Sequence, residues 1–451
     1  MRKPWKPKLR QRSGLALSLS FLALASGCGG GDDGIASLFG LSPGGGGGSG
    51  PFGAYFMAAL TDEWRQAAAS LRENAARYRV QDGTFSVNGS RVFANPLHSS
   101  RVDYAHAVGL TGEGQVIAIV DSGFRRTHEA LANKSTSVTG NPATDDHGTM
   151  VASIAAGNSA SMVGVAPNAD LSLGSFATYA TLTAAANDAR RRGAVAQNNS
   201  WGFVGTPVGQ ASFDSVFGNT AGAAWLSALE AYAQNGVVVF SVANDSQAIT
   251  AGLMEALPAL RPALESAWIA VGNAIPVFDD SGVSAAARRD SARCLEAARW
   301  CLVADGYWVA ATAISNSSYG AGTGSSFAAP QVAGALALLA EAFPGLTPHQ
   351  LRARLLASAD NTFAGFVQAG TVDLLDGPGV FEHAYSTDFG HGFLDIRAAL
   401  LPIGTTTLAT VNGGTVATQD FGFATGGGLR DAAAQSLARL CLAGARALPG
   451  P

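Results

Sequence analysis

Val116-Ile117-Ala118-Ile119-Val120 runs directly into Asp121-Ser122-Gly123, an apolar run closed by an acid and a turn. A short continuous apolar run bounded by turn residues reads as a strand buried on both faces. Outward from it, residues 194–198, 237–242 and 268–271 repeat the pattern, and a helix is expected over 147–156. Ala-rich helical patterns fill 182–192 and 221–234. This alternation, from about residue 105 to 400, predicts an α/β domain with a mostly parallel central sheet and helices on both faces. Ligands of such sheets bind beyond the carboxyl ends of the strands. The places to search are therefore just after Val120, Asn198 and Val242.

With 451 residues, 47% hydrophobic and 14% charged, the chain can bury a large core. Its net charge of −4 hides an asymmetry, because Arg2, Lys3, Lys6, Lys8, Arg10 and Arg12 all lie at the start. Without those six, 23 basic residues face 33 acidic ones, a net charge of −10. That balance argues against a nucleic-acid partner, which needs a basic face.

The basic start, the apolar run 15–25 and Ser26-Gly27-Cys28 read as an export signal, too short to span a bilayer. Leu24-Ala25-Ser26-Gly27-Cys28 resembles a bacterial lipoprotein box with Cys28 as the lipidated residue, although Ala25 stands where Leu is usual. The alternative is ordinary cleavage after Ala25. The expected location is outside a bacterial cytoplasm: an outer-membrane or surface lipoprotein, otherwise periplasmic or secreted. Membrane contact is expected only through that N-terminal anchor.

The expected organisation is a signal peptide over 1–28, a Gly-rich linker over 29–53 and an N-terminal helical docking segment over 54–95. The main domain follows over 96–400, then a tail over 401–451. A pro-segment that blocks the site is the alternative reading of the helical segment. Of Cys28, Cys294, Cys301 and Cys441, the two middle ones are close enough in sequence to close a small loop in an oxidising compartment. Paired Cys-x-x-Cys or His spacing is absent, so no metal site is expected.

Chemistry enters with Gly324-Ser325-Ser326-Phe327-Ala328-Ala329-Pro330, a small turn at a helix entrance. A serine is a poor nucleophile alone and needs a base, an acid to hold the base, and oxyanion donors. Candidates stand upstream: Asp121 at a strand end, His147 in Asp146-His147-Gly148-Thr149-Met150-Val151-Ala152, Asn198-Asn199-Ser200-Trp201-Gly202, and Asn244 after Val242-Ala243. Singly, each is ordinary turn or cap chemistry. Together, in the order Asp, His, Asn, Ser, they resemble the subtilisin-like serine proteases (subtilases).

The resemblance implies a three-layer subtilisin-like domain and a serine endopeptidase acting through an acyl-enzyme on protein or peptide substrates. It assigns Ser326 as nucleophile, His147 as general base and Asp121 as the residue orienting it. Asn244 is the oxyanion donor, and Ser200, Trp201 and Gly202 pair with substrate backbone. Ser326 is chosen over Ser325 by its place two residues after Gly324. No cofactor is implied; a structural calcium is allowed, with no ligands identified. The sequence departs from the family at Ser325, where Thr is usual, and at Ala243, where Gly is usual; Trp201 stands where a smaller residue is common.

Residues 300–306 and 103–112 further resemble the bacterial autotransporter-type subgroup, in which a Cys294–Cys301 disulfide is expected. About 50 residues follow the protease domain, too few for that subgroup's β-barrel. The expectation is a relative without a barrel or a truncated one. Trp201 reads equally as subsite lining or packing. His391 reads as part of a turn closing the domain, His128 as loop packing, and Asp145 and Asp146 as solvated loop acids. The competing readings are a non-catalytic surface binding or adhesion module with this fold, and a lipolytic hydrolase. The absence of a Gly-x-Ser-x-Gly elbow at Ser326 counts against the second. Intact-mass analysis of the exported protein should find a chain beginning at lipid-modified Cys28; a start at Ser26 would identify ordinary cleavage instead.

Overall fold

The structure is a computed structural model that describes residues 56–87, 90–375, 381–404, 407–409 and 415–417. The signal segment 1–28 with Cys28, the linker 29–53, Cys441 and most of the tail lie outside the described residues.

A hairpin, β1 (Gly83–Val87) and β2 (Ser90–Ala94), precedes the main sheet. That sheet contains β3 (Val116–Asp121), β4 (Ser135–Thr139), β5 (Asp170–Ser175), β6 (Ala196–Asn199), β7 (Val237–Ser241), β8 (Trp268–Phe278), β9 (Val283–Arg289) and β10 (Cys301–Ala304). Its order is β10-β8-β7-β6-β3-β5-β4, with every pair on this path parallel, and β9 adds antiparallel to β8. A second hairpin, β11 (Tyr307–Ala311) and β12 (Tyr319–Thr323), leads into the segment that carries Ser326. The α-helices among the described residues, in chain order, are α1 (Asp62–Asn74), α2 (Ala76–Arg79), α3 (Pro96–Ser99), α4 (Val102–Ala107), α5 (Asp146–Ala156), α6 (Tyr179–Arg192), α7 (Gln210–Phe217), α8 (Thr220–Ala233), α9 (Ser325–Ala342), α10 (Pro348–Ala357) and α11 (Ile396–Leu400).

Alternate residues of one strand enter two different cores, which is why the strand reads as an unbroken apolar run. From β3, Ile117 and Ile119 join the core packed against α5 and α9. Ala118 and Val120 join the core packed against α6 and α8. The three-layer α/β expectation therefore holds. The one large difference in extent is β8, expected over 268–271 and observed over Trp268–Phe278, because its second half pairs with β9. Cys294 and Cys301 are joined by a disulfide at the start of β10.

The N-terminal segment packs on the main domain. Thr61 caps α1 by accepting from the Trp64 N–H. Trp64 is fully buried, donates from Nε1 to the Tyr104 carbonyl at 2.8 Å and meets the Tyr104 ring edge-on at 5.4 Å. Gln81 bonds both backbone groups of Val309 on β11, at 2.8 and 2.9 Å. Among the described residues no helix is long and apolar enough to cross a membrane. Trp64→Ala should cost about 3–5 kcal/mol of stability, the usual penalty for emptying a buried aromatic site. An unchanged urea midpoint would mean that α1 is not part of the folded unit.

Candidate active site

Three strand ends and two helix starts meet at one edge of the sheet. Asp121 ends β3, fully buried. His147 sits in the first turn of α5, and Gly148 lets that helix approach: a Cβ there would lie 2.2 Å from the Gly123 carbonyl oxygen. His147 Nδ1 and Asp121 Oδ1 are 2.8 Å apart, and the same oxygen accepts from the Ser122 N–H at 2.8 Å. Asp121 thereby fixes the ring orientation.

Asp145 and Asp146 do more than the solvated-acid reading allowed. Asp145 caps α5 by accepting from the His147 N–H at 2.9 Å and also accepts from Ser122 Oγ at 2.6 Å. Asp146 accepts from the Ala313 N–H at 2.5 Å. For Asp145 the reason is helical, since donors orphaned at the first turn recruit the nearest acceptor. Burial lowers the affinity of His147 for a proton, but the hydrogen bond and charge of Asp121, with the charge of Asp145, outweigh it and raise the pKa above 6.5.

Ser326 lies at the second residue of α9, partly exposed. Its position depends on Pro330. Proline has no N–H, so the Ser326 carbonyl, four residues earlier, has no helical donor. Ser200 Oγ supplies one at 2.8 Å and is itself held by Asn198 Nδ2 at 2.9 Å. The segment following β6 is thus pinned to the nucleophile turn. Ser326 Oγ donates to the Ser200 carbonyl at 3.3 Å. Among the described residues no hydrogen bond joins it to His147, although the His147 and Phe327 rings lie 5.9 Å apart. Such bonds are often long or unformed without substrate.

Asn244 follows β7 and is exposed. The Ser325 N–H, which can only donate, reaches its side chain at 2.9 Å, so the facing atom is Oδ1 and Nδ2 is turned away. Ser325 Oγ approaches the same oxygen at 2.9 Å. Gly324, at φ 155°, leaves the room, since a Cβ there would lie 3.3 Å from Oδ1. Neither Asn244 Nδ2 nor the Ser326 N–H has a partner among the described residues, which leaves two free donors beside the hydroxyl.

The chain matches the subtilase family model over residues 112–392, more than half its length. It belongs to the subtilase family. An alkaline protease of Alkalihalobacillus alcalophilus is 31% identical over 263 residues, 56% of this chain and 61% of that protein, so the match spans less than two thirds of that relative. Subtilisin BL of Lederbergia lenta is 30% identical over 263 residues, 56% of this chain and 87% of its own. The solved structure of the prenylagaramide maturation protease PagA is 20% identical, covers 66% of this chain and 96% of its own, and has a TM-score of 0.49.

Within this subtilase, Ser200, Trp201, Gly202, Ala243 and Asn244 line a cavity of about 230 Å³ together with Ser326. Trp201 does both things expected of it: it lines the cavity and packs against Phe176, Phe203, Trp225 and Phe240. His128 is buried and bonded to the Ser318 carbonyl, away from His147. His391 is buried between the Arg299 carbonyl and His383, and burial with the neighbouring His383 pushes its pKa down to about 3. Among the described residues no three His, Cys, Asp or Glu side chains cluster to hold a metal, so the calcium has no identified ligands there. Sequence reasoning missed the positioning roles of Ser325 and Asp145, and it missed Glu255 in the cavity wall. NMR titration should place the His147 midpoint above 6.5, and Asp121→Asn should move it down by removing the largest favourable contribution. Equal midpoints in the two proteins would show that Asp121 does not act on the ring.

Proposed function

We propose that this subtilase is a serine endopeptidase in which Ser326 attacks the peptide carbonyl and His147 takes its proton. The observation that supports this most is the 2.8 Å Asp121–His147 hydrogen bond set beside a serine with two unpartnered donors. Ser326 Oγ gives up only a long bond to the Ser200 carbonyl when it turns to His147 Nε2. As the proton moves, the imidazolium is held by Asp121 through Nδ1 and favoured by Asp145. The carbonyl oxygen becomes an oxyanion between Asn244 Nδ2 and the Ser326 N–H. His147 then protonates the leaving amine, and water, deprotonated by His147, releases the acyl group and restores Ser326.

Residues 201–203 lie outside any strand and their N–H groups have no backbone partner among the described residues, which suits pairing with an extended peptide. Protein or peptide substrates follow from this edge. Ser325, whose N–H holds Asn244 Oδ1 while its hydroxyl also reaches the Val242 carbonyl at 2.6 Å, acts as a positioning residue for the oxyanion donor. The lipoprotein-like box at Cys28 and the likeness of residues 300–306 and 103–112 support an exported, surface-anchored enzyme of the autotransporter-type subgroup.

The neutral form of His147 is the base, so kcat/KM should rise with pH through the raised His147 pKa, along a limb centred above 6.5. A fluorophosphonate probe should label Ser326 in the folded protein, and Ser326→Ala should abolish the label; folded wild type that stays unlabelled sinks the proposal. Asn244→Ala should lower kcat by about 10²–10³ with little change in KM, the magnitude known for the same loss in subtilisin. A loss confined to KM would place Asn244 in substrate binding instead.

A further inference from the structure

Glu255 is a buried acid that the mechanism above does not use. It is 4% exposed and lines the cavity that opens beside Ser326. The Gly252 N–H donates to its Oε1 at 2.7 Å, and the backbone N–H groups of Glu255 itself and of Ala243, next to the oxyanion residue, also favour its charged form. Position 252 must be small for this, because a Cβ there would lie 2.6 and 2.8 Å from the two carboxylate oxygens. The loop is therefore built around the acid.

No Lys, Arg or His pairs with Glu255 among the described residues. The other charged group acting on it is a second acid, Glu296, whose Oε2 accepts from the Ala251 N–H at 2.7 Å. Burial raises the Glu255 pKa, with Glu296 adding to it, against the backbone donors. A buried charge without a counter-charge is costly, and the cost is relieved when a cation enters.

The cavity's place says which cation. With the carbonyl under attack at Asn244 and Ser326, the side chain of the same substrate residue, P1, falls into the cavity that Ser200–Gly202, Ala243, Asn244 and Ser326 line. At about 230 Å³ that space is below the ~300–1,000 Å³ of sites for drug-sized ligands and suits one side chain. We propose that Glu255 makes this site select peptides with arginine or lysine at P1. The inference rests on the serine-protease reading above. A long cationic side chain passes Trp201 with its methylenes and brings its head to the carboxylate. An apolar P1 side chain fills the same space and leaves the acid buried and unpaired, so the pocket rejects as well as attracts. An acid at the base of the P1 pocket is a device serine proteases use for this choice.

The test compares kcat/KM for peptides that differ only at P1 (Arg, Lys, Phe, Leu), in wild type and in Glu255→Gln, with fluorophosphonate labelling run alongside. Wild type should prefer Arg and Lys, and the Arg-to-Phe ratio should fall by about 10²-fold in Glu255→Gln, as expected for losing one partner of a buried charge pair. Wild type alone decides if the variant fails to fold: peptide aldehydes with Arg at P1 should inhibit it more strongly than those with Phe. A labelled, active enzyme that prefers Phe or Leu, or whose ratio is unmoved by Glu255→Gln, overturns the role of Glu255 and leaves the protease reading standing. A folded wild type that is neither labelled nor active overturns both.

Discussion

Pro330 cannot donate a hydrogen bond, and the arrangement of the site follows from that gap. The Ser326 carbonyl four residues before it would otherwise be a buried helical acceptor left without a donor. Ser200, 126 residues away in sequence, fills the vacancy with its hydroxyl, and Asn198 holds Ser200 in turn. One missing N–H therefore couples the nucleophile helix to the end of β6. The same coupling sets the distance between the substrate-pairing edge and Ser326, and it defines one wall of the adjoining cavity. A proline inside an otherwise apolar helix looks like a flaw in isolation. Here it makes the Ser326 carbonyl available as an anchor.

The charges around this anchor are arranged for opposite tasks. His147 is surrounded by acids, and their hydrogen bond and charge outweigh its burial, so it can carry a positive charge part of the time. Glu255 has backbone donors and a second acid acting on it, and among the described residues no base pairs with it. One charge is compensated by the fold; the other is the one we propose a substrate compensates. Ser325 shows a smaller version of the same economy. Its N–H and hydroxyl face Asn244 Oδ1, which turns the opposite end of that amide outward.

Much of this was legible beforehand because it is written in local pattern. The run 116–120 announces a strand buried on both faces, since its odd and even residues feed two cores. The helix starts at His147 and Ser326 are marked by glycine and small residues next to them. Trp201 was ambiguous between packing and lining, and it remained so for a good reason, since a large ring at a cavity wall does both. Asp145 was misread because an acid before a histidine looks like a loop residue. Only the helix start makes it a cap, and only the turn after β3 brings the Ser122 hydroxyl to it.

The sequence by itself determined the α/β alternation and the order in which Asp121, His147, Asn244 and Ser326 arrive at strand and helix ends. Periodicity and turn chemistry act over a few residues, so they leave traces that a linear reading can follow. Tertiary structure alone decided that Ser200 bonds the Ser326 carbonyl, that Ser325 orients Asn244, and that Glu255 faces the cavity. Each of the first two contacts joins residues more than 80 positions apart, brought together by parallel strands whose register no local pattern encodes. Glu255 lies in a stretch with neither helical nor strand period, and nothing in its neighbours signals a pocket. Its meaning comes from the loop that places it in the lining of the cavity that Ser326 also lines.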